Sequence, residues 1–166
     1  MAVAFALAIV FSGFAQDNQR DKYALSELSL SAFKKLVVNA DIDVVLVQND
    51  TLKKAYIEGD DQLVPQIAVT VKNGTLTIAS NNNKSYKGKV QVTVTVNKLA
   101  ELEINAMAAV SSVNAIKAPS LSISVNNDCD VHLKSTGKIV FNTAEGYYVN
   151  YIYPSTASNT IEQRKG

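Results

Sequence analysis

Apolar and polar residues alternate along most of this 166-residue chain from Phe33 onward. A period of two is typical of β-strands, because successive side chains point to opposite faces of a sheet. No segment after residue 33 has a convincing helical period. The alternating segments are Ile42-Val44-Leu46, Val69-Val71, Leu76-Ile78, Val90-Val92-Val94-Val96, Leu102-Ile104, Leu121-Ile123-Val125, Val131-Leu133 and Ile139-Phe141. The pattern therefore predicts an all-β fold of short strands.

Turn-forming residues separate these segments. Gly59-Asp60-Asp61, the polar run 80–84, Asn126-Asn127-Asp128 and Thr136-Gly137 all have turn composition. Asn73-Gly74 lies between two alternating segments, and this dipeptide strongly favours a two-residue β-hairpin. We therefore expect an antiparallel hairpin in the N-terminal part of the domain.

A second, longer period of about 18 to 19 residues links apolar pairs along the chain. Val94, Val113, Val131 and Val149 follow this spacing, as do Leu102/Ile104, Leu121/Ile123 and Ile139/Phe141. A fixed period of about 20 residues in an all-strand sequence is typical of a β-solenoid, whose aligned apolar residues form one interior. The spacing predicts regular coils from about Lys89 onward, with the four valines in one inward column. A β-sandwich is the alternative, because its strands recur every roughly 8 to 12 residues, which this chain also fits.

The N-terminal residues have the pattern of a secretory signal peptide. Residues 1–14 are almost entirely apolar, and Gly13 and Ala15 are small residues at the positions required for cleavage before Gln16. The apolar stretch is shorter than a transmembrane helix requires, so no transmembrane span is predicted. No Lys or Arg precedes it, and we expect the natural start to lie a few residues upstream. The predicted organisation is a signal peptide at 1–15, a polar segment at 16–32, the β-domain at 33–153 and a tail at 154–166.

Composition narrows the classes of function. Sixteen Lys and Arg against fifteen Asp and Glu give a net charge of +1, and the two arginines, Arg20 and Arg164, lie near the ends of the chain. No basic patch for a phosphate backbone is evident, so nucleic acid is not expected as a partner. Cys129 is the one cysteine, which excludes an internal disulfide.

One short segment, Asp128-Cys129-Asp130-Val131-His132, has a composition suited to metal binding or nucleophilic catalysis. If Val131 points inward, strand alternation turns Cys129 inward and His132 outward, which excludes a Cys–His pair. Asp128, Asp130 and His132 share the outer face, where a solvated surface is the favoured interpretation over a metal site.

Paired carboxylates are the remaining catalytic candidates. Asp41/Asp43, Asp60/Asp61 and Glu101/Glu103 could in principle cleave a polysaccharide. The chain lacks Trp for sugar stacking and has no Arg between residues 20 and 164, so exposed surface is the favoured interpretation. We predict no catalytic, cofactor or metal site.

Tyrosine is concentrated at the end of the alternating region, at Tyr147, Tyr148, Tyr151 and Tyr153. Tyrosine provides rigid, amphipathic contact area, so these residues are a candidate contact surface for a protein, a glycan or a second copy of the chain. Closure of the last coil by their rings is the alternative. Thr51, in Asp50-Thr51-Leu52, resembles an O-glycosylation acceptor of exported Bacteroidota proteins.

Four successive blocks resemble one protein family in order and spacing. They are Phe33-Lys34-Lys35-Leu36-Val37-Val38, Ile42-Asp43-Val44-Val45-Leu46-Val47-Gln48, Ile57-Glu58-Gly59-Asp60-Asp61-Gln62-Leu63 and the segment from Val69 to Ile78. The match over about 33–152 is to the GIN-domain family of autotransporter-adhesin heads, exported proteins frequent in Bacteroidota. The resemblance implies a right-handed parallel β-helix and a role in adhesion, and it implies no catalytic residues.

Two hypotheses of function follow. The favoured one is a non-catalytic exported protein that serves as an adhesin or interaction module in the periplasm, on the cell surface or outside the cell, with a protein or glycan of the envelope as its partner. The alternative is a small lyase or glycoside hydrolase on the same scaffold. An enzyme requires a cleft with converging titratable groups, whereas a binding module requires only a broad face.

Overall fold

The computed structural model describes residues 22–82, 84–143, 149–151 and 162–165, and these ranges are all-β apart from one 3₁₀ turn. The expected signal peptide lies outside them. The strands are β1 (Tyr23–Ser29), β2 (Lys35–Asn39), β3 (Asp43–Gln48), β4 (Lys54–Asp60), β5 (Ile67–Lys72), β6 (Thr75–Ser80), β7 (Val90–Val96), β8 (Glu101–Ile104), β9 (Ala109–Ser112), β10 (Ser120–Val125), β11 (Cys129–His132), β12 (Lys138–Thr143), β13 (Val149–Tyr151) and β14 (Glu162–Lys165). The 3₁₀ turn spans Val64–Gln66.

The strands form two seven-stranded sheets. Sheet A has the order β1-β4-β7-β3-β9-β11-β13, and sheet B has the order β14-β12-β10-β8-β2-β6-β5. Alternate side chains of both sheets enter a single apolar core, as in β3, where Val44 and Leu46 are fully buried. Strand alternation thus produces the hydrophobic interior that the sequence pattern predicts.

The expected parallel β-helix is wrong, because both sheets are mixed. β1 pairs with β4, β4 with β7 and β5 with β6 in antiparallel orientation, while the other strand pairs are parallel. The described strands are consistent with the alternative that the sequence left open, a two-sheet β-sandwich. The physical cause is the N-terminal part of the chain, where β4 inserts between β1 and β7 and runs against both.

The predicted hairpin accounts for one of these antiparallel pairs. Asn73 and Gly74 join β5 to β6, and both have positive φ, 51° and 74°. Positive φ at both central residues is the type I′ pattern, whose twist matches that of the flanking strands. Asn tolerates this conformation better than most residues, and Gly adopts it freely.

The predicted column of four valines is also wrong. Val131 pairs with Val110 rather than with Val113, and Val94 pairs with Leu46. Val113 is 62% exposed, because the shift from Val110 is an odd number of positions and moves the side chain to the other face.

The other predicted alignment is partly right. Leu121 and Ile123 pair with Ile139 and Phe141 as expected. Leu102, however, pairs with Ile123 instead of Leu121. A shift by an even number of positions keeps the same face, so the leucine remains buried despite the wrong partner.

Strands also form in the two segments that flank the predicted domain. The N-terminal segment 16–32 contributes β1 to the edge of sheet A, and the tail contributes β14 to the edge of sheet B. No helix within the described ranges is long and apolar enough to cross a membrane.

Candidate functional site

The tyrosine-rich surface lies almost wholly outside the described residues. Tyr147, Tyr148 and Tyr153 belong to segments that the structure does not describe. The backbone of Tyr151 is in β13, paired with Val131 of β11. The contact surface therefore stays a prediction.

The segment from Cys129 to His132 forms β11 and alternates as the sequence predicts. Cys129 is buried at 6% exposure, and burial, reinforced by the charge of Asp130, raises the pKa of its thiol to about 11. His132 lies on the opposite face and is half-exposed. Asp130 forms an ion pair with Lys87 at 2.7 Å between Oδ2 and Nζ. In the described part of the chain, no three His, Cys, Asp or Glu side chains converge in a group that could hold a metal ion.

The first carboxylate pair on the chain organises loops. Asp41 Oδ1 accepts the backbone N–H of Met107 at 2.8 Å, and Asp43 Oδ2 accepts that of Gly88 at 2.9 Å. Each carboxylate therefore joins two segments that are far apart in sequence, which is a structural use of the charge.

The other two pairs have similar structural contacts. Asp60 Oδ1 accepts the backbone N–H of Gln62 at 2.9 Å within a turn. Glu103 lies 2.6 Å from Lys35 Nζ, and the hydrogen bond from this ammonium lowers the pKa of the Glu103 carboxyl. Glu101 is 3.9 Å from the same ammonium. The Lys35 ammonium is therefore paired with both carboxylates. This is a structural contact and not the arrangement of two cooperating catalytic carboxylates.

A cavity of about 480 Å³ lies at one end of the two sheets. Four chain segments line it: 31–34 after β1, 52–53 before β4, 73–74 between β5 and β6, and Thr95, Asn97 and Lys98 at the end of β7. The register of sheet A brings the end of β1, the start of β4 and the end of β7 together, since Ser29 pairs with Lys54 and Ala55 with Val94. The segments meet because of strand pairing and not because they are close in sequence.

Backbone hydrogen bonds fix the wall of the cavity. The Lys34 N–H donates to Gly74 O at 2.9 Å, and Lys34 O accepts the N–H of Ala100 at 2.8 Å. Lys53 O accepts the N–H of Leu30 at 2.8 Å. The main chain beneath each of these lysines is therefore held by a neighbouring segment.

Side-chain hydrogen bonds join two of the lining segments, the turn before β4 and the end of β7. Thr95 is buried, and its Oγ1 accepts the Lys54 backbone N–H at 2.8 Å and donates to Leu52 O at 3.1 Å. Asn97 Nδ2 donates to Asp50 O at 3.1 Å. These contacts hold the turn 49–53 against the end of β7.

Buried Gln48 holds the turn 49–53 through further hydrogen bonds. Its Nε2 donates to Asp50 Oδ1 at 3.0 Å, and its Oε1 accepts the Lys117 backbone N–H at 2.9 Å. Lys117 Nζ lies 2.6 Å from Asp50 Oδ2, and its hydrogen bond is the largest cause of the lowered pKa of the Asp50 carboxyl. Asp50 is therefore already paired. Neighbouring Thr51 is exposed, and its hydroxyl donates to Asn49 Oδ1 at 3.1 Å.

Three lysines of the cavity, Lys34, Lys53 and Lys98, were not among the sequence-predicted site residues. We call them the cavity lysines. A signal exists for two of them, since Lys34-Lys35 and Lys53-Lys54 are lysine pairs placed where a strand begins. Only the register shows that one member of each pair faces the same space.

Comparisons with solved structures show the same fold at low identity. A "putative adhesin" from Parabacteroides merdae has a TM-score of 0.66 and 19% identity over 80% of this chain and 57% of that one. A "putative lipid binding protein" from Parabacteroides distasonis has a TM-score of 0.66 and 18% identity over 87% and 61%. A "putative adhesin" from Bacteroides fragilis has a TM-score of 0.53 and 14% identity over 87% and 94%. The chain thus spans about three fifths of the first two structures.

No curated protein matches the sequence. A family model described as "putative auto-transporter adhesin, head GIN domain" matches residues 32–147. That match covers more than half of the 166 residues and confirms the resemblance carried by the four sequence blocks. The chain belongs to the GIN-domain family of auto-transporter adhesin heads.

Proposed function

We propose that this protein is a non-catalytic, exported binding module that acts as an adhesin or interaction partner at the cell envelope. Family membership over residues 32–147 is the observation that carries the proposal. An adhesin head acts on partners outside the cytoplasm, which agrees with the apolar stretch and the small residues Gly13 and Ala15 before Gln16. The site of action is the periplasm, the cell surface or the medium.

Local contacts favour binding over turnover. The carboxylates of Asp41, Asp43, Asp60 and Glu103 bind backbone N–H groups or an ammonium, as a scaffold requires. The raised pKa of Cys129 and its burial disfavour a nucleophilic thiolate. Enzymes instead place titratable groups in a cleft with pKa values suited to proton transfer.

The test combines binding and turnover on one preparation. The intact mass of protein recovered from the exported fraction is first measured by mass spectrometry, and the mass of a mature form beginning at Gln16 is expected. It is then applied to a glycan array and to immobilised envelope proteins, and in parallel incubated with common polysaccharides. We expect saturable retention on at least one surface and no more reducing ends than with heat-unfolded protein.

Each component of the proposal can fail separately. Reducing ends that increase with protein concentration would overturn the non-catalytic assignment and favour a polysaccharide-active enzyme. Absence of saturable retention on every surface would overturn the adhesive role. A retained N-terminus in a cytoplasmic fraction would overturn export.

A further inference from the structure

The cavity lysines form a concentration of positive charge. Lys34, Lys53 and Lys98 come from three separate segments, and all three side chains are exposed. None of them forms an ion pair with any residue in the described ranges. The described lining of the cavity contains no Asp or Glu. Like charges that share a concave surface attract ions of the opposite sign.

The sequence neighbours of Lys34 and Lys53 are also lysines, but they have different contacts. Lys35 pairs with Glu103, and Lys54 pairs with Glu27. Their neighbours Lys34 and Lys53 face the cavity instead. In each of these two neighbouring pairs, the lysine outside the cavity therefore has a carboxylate partner, and the lysine that lines the cavity is available to a ligand.

Apolar side chains form the rest of the surface. Phe33 is half-buried and packs against the core, Leu52 is 44% exposed, and Ala32, also in the lining, is exposed. Lysine methylenes add apolar surface beneath their charged ends. Lysine ammonium groups beside apolar side chains suit a ligand that has both an anionic group and a hydrocarbon part. The volume of about 480 Å³ lies within the range of small-molecule sites, about 300–1,000 Å³.

The site is built in advance of binding. Strand pairing and the backbone hydrogen bonds of Lys34 and Lys53 fix the main chain, so a ligand would need to order only the lysine ends. The nearby carboxylate of Asp50 is held by Gln48 and Lys117 and does not compete for the cavity lysines. Preorganisation reduces the entropic cost of binding.

We propose that this cavity binds a monomeric anionic amphiphile, a molecule with one carboxylate or phosphate group and an apolar chain. The cavity lysines pair with the anion, and Phe33 and Leu52 contact the chain. This site is distinct from adhesion to a macromolecule and does not depend on it.

Isothermal titration calorimetry on the mature protein tests the proposal, with dodecanoate and dodecyl phosphate as probes below their micelle concentrations. Dodecyl maltoside supplies the same chain without charge, and acetate supplies the charge without the chain. We expect saturable binding of both anionic probes, and at least tenfold weaker binding of the other two. Affinity for the anionic probes should fall as salt rises from about 50 to about 500 mM, because exposed charges are screened.

Variants assign the binding to the cavity. Lys34→Gln, Lys53→Gln and Lys98→Gln combined should weaken dodecanoate binding at least tenfold. Leu52→Asn should weaken dodecanoate binding severalfold while it leaves the salt dependence unchanged. Circular dichroism and thermal melting verify that each variant is folded, which is expected because the lysines and Leu52 are exposed.

A matched control keeps the same change in net charge. Lys22, Lys84 and Lys89 are exposed and form no ion pair in the described ranges, and Lys22 and Lys89 lie near the opposite end of sheet A. The six steps along β7 separate the two ends by about 20 Å. Replacing all three controls with Gln should change the affinity less than twofold.

Several outcomes would overturn the proposal. Equal losses in the cavity and control variants would show that only net charge matters. Equal binding of dodecyl maltoside would remove the role of the anion. Absence of saturable binding by both anionic probes at millimolar concentration would exclude the site, and retention on phosphatidylglycerol vesicles alone would indicate a membrane surface instead. If the cavity does not bind amphiphiles, the outcome of the glycan-array and envelope-protein experiments is unaffected.

Discussion

Val110 and Val113 test the strand register directly, because the sequence period and the structure disagree on which of them is inside. The structure buries Val110 completely in β9, between Val44 of β3 and Val131 of β11. Val92 of β7 extends the same row. Val113, which the sequence period places in the column, lies just beyond β9 and is 62% exposed.

The expected loss in free energy of unfolding differs widely between Val110 and Val113. Val110→Ala removes two buried methyl groups worth about 0.8 kcal/mol each and leaves a small cavity, so it should lower the free energy of unfolding by about 2 kcal/mol. Val110→Asp places an unpaired carboxylate in the core and should cost about 5 kcal/mol or more, comparable with the total stability of many domains. The same changes at Val113 should stay within about 0.5 kcal/mol.

Urea unfolding followed by far-ultraviolet circular dichroism measures the difference. With a denaturant dependence of about 2 kcal/mol per molar urea, Val110→Ala should lower the midpoint by about 1 M. Val113→Ala should leave it nearly unchanged, and Val110→Asp should be largely unfolded in buffer. If Val113→Ala lowers the midpoint as much as Val110→Ala does, the register described here is wrong and the column predicted from the sequence period is right.

Two further predictions use single positions. At pH 8 a thiol of pKa about 11 is about 0.1% thiolate, against about a quarter for an ordinary cysteine, so Cys129 should react with a disulfide reagent at least 100-fold more slowly in native than in urea-unfolded protein; equal rates would contradict its burial. Gly137→Ala should cost about 3 kcal/mol, because a Cβ there would lie 2.1 Å from Ala118 O and 2.4 Å from Pro119 O. Gly88→Ala, at φ +73° with open space around it, should cost about 1 kcal/mol in the same urea assay, and equal losses would show that the close approach at Gly137 is absent.

Strand alternation was predictable because it depends on local chemistry. A period of two assigns faces from a few neighbouring residues, which explains why the burial of Cys129 and the half-exposure of His132 follow from Val131 alone. The hairpin at Asn73-Gly74 is equally local, since the turn geometry resides in two residues.

Strand pairing was harder to predict because it depends on loop lengths. Between β9 and β11 the partner of Val110 is Val131, whereas between β10 and β12 the partner of Leu121 is Ile139, so the first pair is the more widely spaced in sequence. A constant period therefore fails by two or three positions in places. An error of two preserves the face, and an error of three reverses it, as at Val113.

The antiparallel edge was missed for a different reason. In β1 two large apolar side chains, Tyr23 and Leu25, lie on the exposed face at 60% and 63% exposure, while Ala24 and Leu28 pack toward the core. The usual rule that apolar residues mark the buried face therefore gives a weak signal in this segment. Tyr23 instead has a polar contact, since its hydroxyl donates to Glu58 Oε2 at 2.9 Å across the β1–β4 pair.

The cavity arises from the same strand pairing that the sequence period could not specify. Its cavity lysines are far apart in the sequence, so no short motif connects them. They meet because β1 and β7 end, and β4 begins, at the same end of sheet A. Lys54 of sheet A and Lys35 of sheet B bind carboxylates, and their neighbours Lys53 and Lys34 do not. In this architecture one residue of shift therefore decides whether a lysine pairs with a carboxylate of the scaffold or lines the cavity.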